Sequence, residues 1–236
     1  MSARQVAFSI ACLVASAAAF ADDDAVPRFT DINSMGARIQ GCVTCHGQQG
    51  QGTDNGYFPR IAGKPASYLY NQLVAFRDGT RRYAPMNYLV AYLPDAYLRE
   101  MAQHYAGLRP PFSAKEPPKG DATLIARGKT IVTAGDGAKQ LPACVACHGA
   151  GLTGMEPGVP GLVGLRPSYV AAQLTRWRTG ERRAAEPDCM KKIATRLSES
   201  DVAAVAAYMG LQDPPADASP EKANFVRMPM ACGSQR

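Results

Sequence analysis

The stretch "ACVACHGAGLTG" (143–154) holds two cysteines and a histidine within five consecutive positions, and "GCVTCHGQQGQG" (41–52) repeats the form. His46 and His148 lie 102 positions apart. Cys-x-x-Cys-His admits three chemistries. A zinc site needs four ligands, and neither copy has a second ligand pair at zinc-ribbon spacing. A thioredoxin-like redox pair expects a βαβ setting, and no stretch of the chain has the period-two alternation of a strand. Covalent haem attachment remains: two thiols at this spacing form thioethers to both vinyl groups of one haem, and the next histidine reaches the iron from the same side. The motif predicts two haem c groups, one on Cys42 and Cys45 and one on Cys144 and Cys147, with His46 and His148 as axial ligands.

Outward from the motifs, the chain is a duplication. Residues 58–82 set against 159–183 agree at ten of 25 positions, among them Pro59/Pro160, Tyr68/Tyr169, Gln72/Gln173, Arg81/Arg182 and Arg82/Arg183. Two copies are too few for a solenoid. Tyr68-Gln72-Phe76 and Tyr169-Gln173-Trp177 recur every four residues, so each set lies on one helical face. Leu98, Met101, Ala102 and Tyr105 repeat at i, i+3, i+4, i+7, as do Val202, Val205, Ala206 and Met209, which predicts a closing helix in each half. Ser198 with Asp201 is a capping-box signal at the start of the last helix. Ahead of the motifs, Ile32, Met35 and Ile39 predict a helix with Gly36 on its buried face. Leu124, Ile131 and Val132 predict another, with Gly128 among them; a glycine there lets a second helix approach closely. The fold class is all-α, in two tandem domains (22–108 and 122–212). "RPPFSAKEPPKGD" (109–121) is a proline-rich, semi-rigid linker, and residues 213–236 form a tail.

The opening "MSARQVAFSIACLVASAAAFADDD" has a basic Arg4, an apolar run and a small-residue site before an acidic stretch. It reads as a cleaved signal peptide over residues 1–21, too short in its apolar run to span a membrane. Cys12 leaves with it, and six of the seven cysteines stay. An exported chain keeps disulfides, and Cys189 and Cys232, outside both motifs, are candidates to pair. The formal charge of +6 is mild and lacks the dense Lys/Arg runs of a nucleic-acid surface.

Haem iron has a sixth position, and His/Met is the usual pair in cytochromes c. Met86 follows His46 by 40 positions, Met190 follows His148 by 42, and each precedes a matching leucine, Leu93 or Leu197, by seven. They are the expected distal ligands. Met101 and Met209 sit on apolar helical faces and read as core.

With "CVTCHG" and "CVACHG", "FPRIAG" and "VPGLVG", "SYLYNQLVAFRDGTRR" and "SYVAAQLTRWRTGERR", Met86 and Met190, nearly the whole mature chain resembles the di-haem cytochrome c4 group of class I c-type cytochromes. The resemblance implies two class I cytochrome c domains and electron shuttling in the bacterial periplasm. It also implies that Pro59 and Pro160 offer their carbonyls to the proximal histidines, which fixes the imidazole tautomer. Cys189 and the tail with Cys232 depart from the family's core pattern.

With both axial positions filled there is no place for a substrate, so the expectation is an electron carrier, with no catalytic residues and no small-molecule substrate. Its expected partners are redox proteins of a respiratory chain, a quinol-oxidising complex as donor and a terminal oxidase as acceptor; peripheral membrane association stays open. The alternative from another class is a di-haem enzyme, for instance one oxidising a sulfur compound, with an open second iron or Cys189 in place of Met190. The arginines of the repeat, Arg77, Arg81 and Arg82 with Arg178, Arg182 and Arg183, have two readings: a basic rim for an acidic partner, or counter-ions of haem propionates.

Overall fold

The computed structural model describes residues 29–115, 117, 120–222 and 228–235; the expected leader lies outside the described residues. The first half is α1 (Met35–Arg38), α2 (Gln40–His46), α3 (Ala66–Arg77), α4 (Ala84–Val90) and α5 (Asp95–Gly107). The second is α6 (Ala122–Thr133), α7 (Val145–His148), α8 (Pro167–Thr179), α9 (Cys189–Arg196) and α10 (Glu199–Met209). One short antiparallel pair, β1 (Gly154–Met155) with β2 (Val159–Pro160), interrupts the helices of the second half. Among the described residues no helix is long and apolar enough to cross a membrane.

The periodic positions of both closing helices are buried: Leu98, Met101, Ala102 and Tyr105 on α5, Val202, Val205, Ala206 and Met209 on α10. Ser198 and Asp201 form the reciprocal capping box. In the second half α6 crosses α10 at Gly128, where a Cβ would lie 2.0 Å from the Ala204 carbonyl oxygen, so the two backbones meet only because the side chain is absent.

The matching expectation for the first half is corrected. Ile32 is 79% exposed and precedes the helix. Ser34 caps α1 by accepting from the Ala37 N–H, and the backbone turns again at Ile39 (φ −92°, ψ 0°), so Ile32, Met35 and Ile39 do not share one continuous helix. A Cβ on Gly36 would touch only the Phe29 ring at 3.7 Å, an ordinary contact, so no helix approaches there.

The halves join around the repeat itself. Residues Arg81 and Arg182 pair as an isolated antiparallel bridge, with Arg183 N–H donating to Thr80 O (2.9 Å) and Arg82 N–H to Glu181 O (3.3 Å). The linker is held down: Arg60 donates to Pro110 O (2.7 Å) and Pro111 O (2.9 Å), its guanidinium stacks 4.0 Å from the Phe112 ring centre, and Phe112 packs against the second core. The tail also returns to the second half. Glu221 N–H donates to Gly154 O (2.9 Å), Glu156 N–H donates to Glu221 O (2.8 Å), and Gly233 N–H donates to Pro187 O (3.0 Å).

Candidate functional site

Two of the cavities inside the fold gather the motif residues, one around each motif. The first, of about 450 Å³, is lined by Cys42, Cys45, His46, Pro59 and Met86 among others. The second, of about 150 Å³, is lined by Cys144, Cys147, His148, Pro160 and Met190, and also by Cys189 and Cys232. The structure therefore brings each predicted thiol pair, histidine and methionine to one cavity, although the histidine and methionine stand some forty positions apart in the chain.

The local reason lies in two short helices. In α2 the histidine is the last residue before Gly47 (φ 80°, ψ 159°), and in α7 before Gly149 (φ 85°, ψ 152°). That conformation belongs to glycine, so the chain leaves sharply and keeps cysteines and histidine on one wall. The imidazoles are buried. His46 Nδ1–H donates to Pro59 O at 2.9 Å and His148 Nδ1–H to Pro160 O at 2.8 Å. A carbonyl only accepts, so Nδ1 carries the proton and Nε2 keeps its lone pair. Burial pushes His148 down to about 4, against the opposing pull of the Pro160 carbonyl, and burial likewise lowers His46. Both rings are neutral near pH 7 and able to ligate a metal. The four motif cysteines are free of disulfides, and burial pushes the Cys144 thiol up to about 12 and raises Cys42. Met101 and Met209 lie in the cores, 3% and 2% exposed.

Cys189 is bonded to Cys232 (S–S 1.98 Å, Cα–Cα 5.0 Å). Its sulfur is therefore engaged beside Met190, and the tail is tied across the second cavity.

The arginines of the repeat divide. Arg81 and Arg182 are 7% and 4% exposed, at the junction of the halves, and cannot meet a partner. Arg77 pairs with Asp95 (2.7 Å) and Asp78 (3.2 Å). Of the six arginines only Arg82 and Arg183 are exposed, as are Lys191 and Lys192 beside Met190. Lys64, also buried, donates to Gly161 O and was not singled out in the sequence; nothing in its local pattern marks it as interior.

A haem fits what these cavities offer. Their walls are mainly apolar, as the flat porphyrin body requires, while the side facing the other half is cationic. The Trp177 indole N–H in the second cavity is buried and without a partner among the described residues, a donor waiting for an acceptor. Thiols, neutral imidazole, an apolar slot and a cationic inner wall match the vinyl groups, iron, ring and propionates in turn. When bound, the haem supplies a one-electron iron couple.

Comparison with known proteins agrees. The cytochrome c family model matches residues 125–211. The thiosulfate dehydrogenase electron acceptor of Thiomonas intermedia (strain K12) is 35% identical over 171 residues, 72% of this chain and 78% of that protein. Cytochrome c4 of Pseudomonas aeruginosa is 33% identical over 175 residues, 73% of this chain and 84% of that one. Among solved structures, reduced recombinant cytochrome c4 from Pseudomonas stutzeri superposes with a TM-score of 0.65 at 26% identity, over 75% of this chain and 95% of that one. A thiosulfate dehydrogenase from Marichromatium purpuratum gives a TM-score of 0.67 at 33% identity over 73% of this chain, which spans only 36% of that longer chain. Fold and pockets together define a c-type cytochrome. Within that class, the chain belongs to the di-haem cytochrome c4 family.

Proposed function

We propose that this protein is a periplasmic di-haem electron carrier that takes electrons from a thiosulfate-oxidising dehydrogenase and passes them to a respiratory acceptor such as a terminal oxidase. Each cavity takes one haem c, on Cys42 and Cys45 with His46 and Met86 as axial ligands, and on Cys144 and Cys147 with His148 and Met190. Pro59 and Pro160 orient the two imidazoles. The observation that carries the reading is the pair of equivalent cavities, each gathering a thiol pair, a neutral histidine and a methionine. The donor is inferred from the relative named as a thiosulfate dehydrogenase electron acceptor, which this chain resembles over most of its length, and it replaces the quinol-oxidising complex of the sequence reading.

The chain's own residues prepare the site for transfer. Burial excludes water, and the proline carbonyls hold the imidazoles in one tautomer, so little has to reorganise when charge arrives. Cys189, held by Cys232, is not a free ligand, which favours two saturated irons over the enzyme alternative.

The test combines intact mass, ligand spectroscopy and turnover. Mature protein should exceed its polypeptide mass by two haems. The near-infrared thioether-to-iron band should lose about half its intensity in Met86→Ala and again in Met190→Ala. Catalytic amounts of a thiosulfate dehydrogenase with thiosulfate should reduce both haems, and thiosulfate alone should reduce neither. Reduction by thiosulfate alone, or rapid binding of carbon monoxide to the wild type, would make it an enzyme instead.

A further inference from the structure

The two methionines that face the cavities are anchored by different means. In the first half the residue after Met86 is Asn87, and its half-buried side chain ties the start of α4 to the end of α3. It accepts from the Tyr83 N–H (2.7 Å) and donates to Arg81 O (3.0 Å) and to Phe76 O. In the second half the residue after Met190 is Lys191, whose side chain is exposed. Met190 is the second residue of α9, and the segment in front of it bonds mainly to itself. Buried Asp188 accepts from the Ala184 N–H (2.8 Å) and the Lys191 N–H (2.9 Å), and Glu186 accepts from the Asp188 N–H (2.9 Å).

The outward ties of this segment run to the tail. Cys189 is bonded to Cys232, and Gly233 N–H donates to Pro187 O (3.0 Å). A Cβ on Gly233 would lie 2.4 Å from the Ala185 and Glu186 carbonyl oxygens, so the tail backbone rests directly on the segment. The far end of α9 is held separately: Arg196 donates to Gln140 O (2.6 Å), and Ala194 and Leu197 sit in the core. Release of the tail therefore loosens the end of α9 that carries the methionine and leaves the other end in place. The bond is also within reach of a reductant. Cys189 and Cys232 are each half-buried, and both line the second cavity with Met190. They stand 43 positions apart, so without the bond their meeting is opposed by the entropy of closing a long loop.

We propose that Cys189 and Cys232 are positioning residues for the sixth ligand of the second iron, as Asn87 is for the first. Their disulfide is a latch that keeps Met190 in place, and its reduction by a dithiol opens the second iron, and that iron alone, to a small neutral ligand such as carbon monoxide. The inference rests on the two-haem reading above. In the chemical step one thiolate of the dithiol attacks a sulfur of the pair, a mixed disulfide forms, and the second thiol of the reductant resolves it. Cys189 and Cys232 gain two electrons and two protons, the dithiol becomes a disulfide, and no electron passes to or from iron. Met190 then stands on a loosened helix end and gives way to an incoming ligand, while Met86 stays under the hold of Asn87.

The experiment follows carbon monoxide binding to the ferrous holoprotein before and after dithiothreitol, with ascorbate keeping both irons reduced throughout. Each iron-bound methionine gives its own ring-current-shifted methyl proton signal, assigned with Met86→Ala and Met190→Ala. Intact mass comes first: fewer than two haems, or rapid carbon monoxide binding by the disulfide-bonded wild type, overturns the underlying carrier reading. With two haems and the disulfide intact, carbon monoxide should remove neither signal. After dithiothreitol it should abolish the Met190 signal, with one carbon monoxide bound per protein, and spare the Met86 signal. Cys189→Ser with Cys232→Ser should behave in the same way without dithiothreitol, which separates loss of the tie from ligation by a freed thiol. If that variant does not fold, the wild type before and after dithiothreitol decides. Asn87→Ala, with its disulfide intact, should open the first iron instead. Both signals surviving in the thiol-reduced protein, both vanishing together, or Asn87→Ala leaving Met86 in place overturns the proposal while leaving the carrier intact.

Discussion

The two halves share a plan and differ in finish. In the first, the cavity is about 450 Å³, and the helix carrying Met86 shows Tyr88 and Leu89 to solvent at 80% and 44% exposure. In the second, the cavity is about 150 Å³, and the segment carrying Met190 is tied through Cys189 to the tail. Among the described residues, the large exposed apolar side chains, from Phe29 to Tyr92, all belong to the first half. Duplication preserved what the cofactor needs, while the outer covering of each pocket diverged. Besides the disulfide, the second half is braced in two further ways: by the backbone contact at Gly128, and by Asp201, which caps α10 and pairs with Arg127 (2.9 Å) and with Lys139.

The largest expected effect separating the halves comes from the disulfide. Cys189→Ser with Cys232→Ser should lower the stability of the second half by about 4 kcal/mol on the chain-entropy estimate for a loop of this length. Calorimetry should then resolve a second-half transition moved to lower temperature, with the first unmoved. A single transition that shifts as a whole would show the halves melting as one unit.

Next is the glycine contrast. Gly128→Ala forces a methyl into the Ala204 carbonyl and should cost about 3 kcal/mol, since backbones must part to admit it. Gly36→Ala meets only an ordinary contact and should stabilise α1 by about 0.5–1 kcal/mol. Chemical denaturation of the two variants should give changes of opposite sign.

Asp201→Asn should remove about 2 kcal/mol, combining a lost cap with partly exposed ion pairs. The pH dependence has a definite sign. Burial raises the Asp201 carboxyl, but Lys139, Ser198 and Arg127 outweigh it and hold the group well below the usual carboxylate range. Its contribution is complete above the unfolded value of about 3.9 and fades as pH falls below it. The wild-type advantage over Asp201→Asn should therefore be flat from pH 7 to 5 and shrink on further acidification. In the first half α5 starts at Pro94 with no side-chain cap, and its first-turn carboxylate, Asp95, is exposed and pairs with Arg77.

The smallest effect concerns the partner. Lys191→Glu with Lys192→Glu, exposed beside Met190, should slow reduction by the donor several-fold at low ionic strength, with the difference vanishing as salt screens the surface. Equal slowing at all salt concentrations would place the effect inside the haem site.

Much of this protein was legible in the chain itself. The Cys-x-x-Cys-His motifs, the distal-methionine candidates, the closing helices and the capping box are local patterns, readable because covalent attachment and the helical period both act over a few residues. The opening helix of the first half misled, because Ile32 has the right spacing but stands before the Ser34 cap, and a cap overrides periodicity at a helix end. The arginines of the repeat stayed open between two readings for another reason. In sequence a docking arginine and a buried one are identical, and only the meeting of α3 with α8 across the seam buried Arg81 and Arg182. The tail's path back to β1, the burial of Lys64 and the unequal size of the two cavities are likewise contacts between segments far apart in the chain. No local spacing encodes them. They depend on which surfaces close on which, and the packed fold alone decides that.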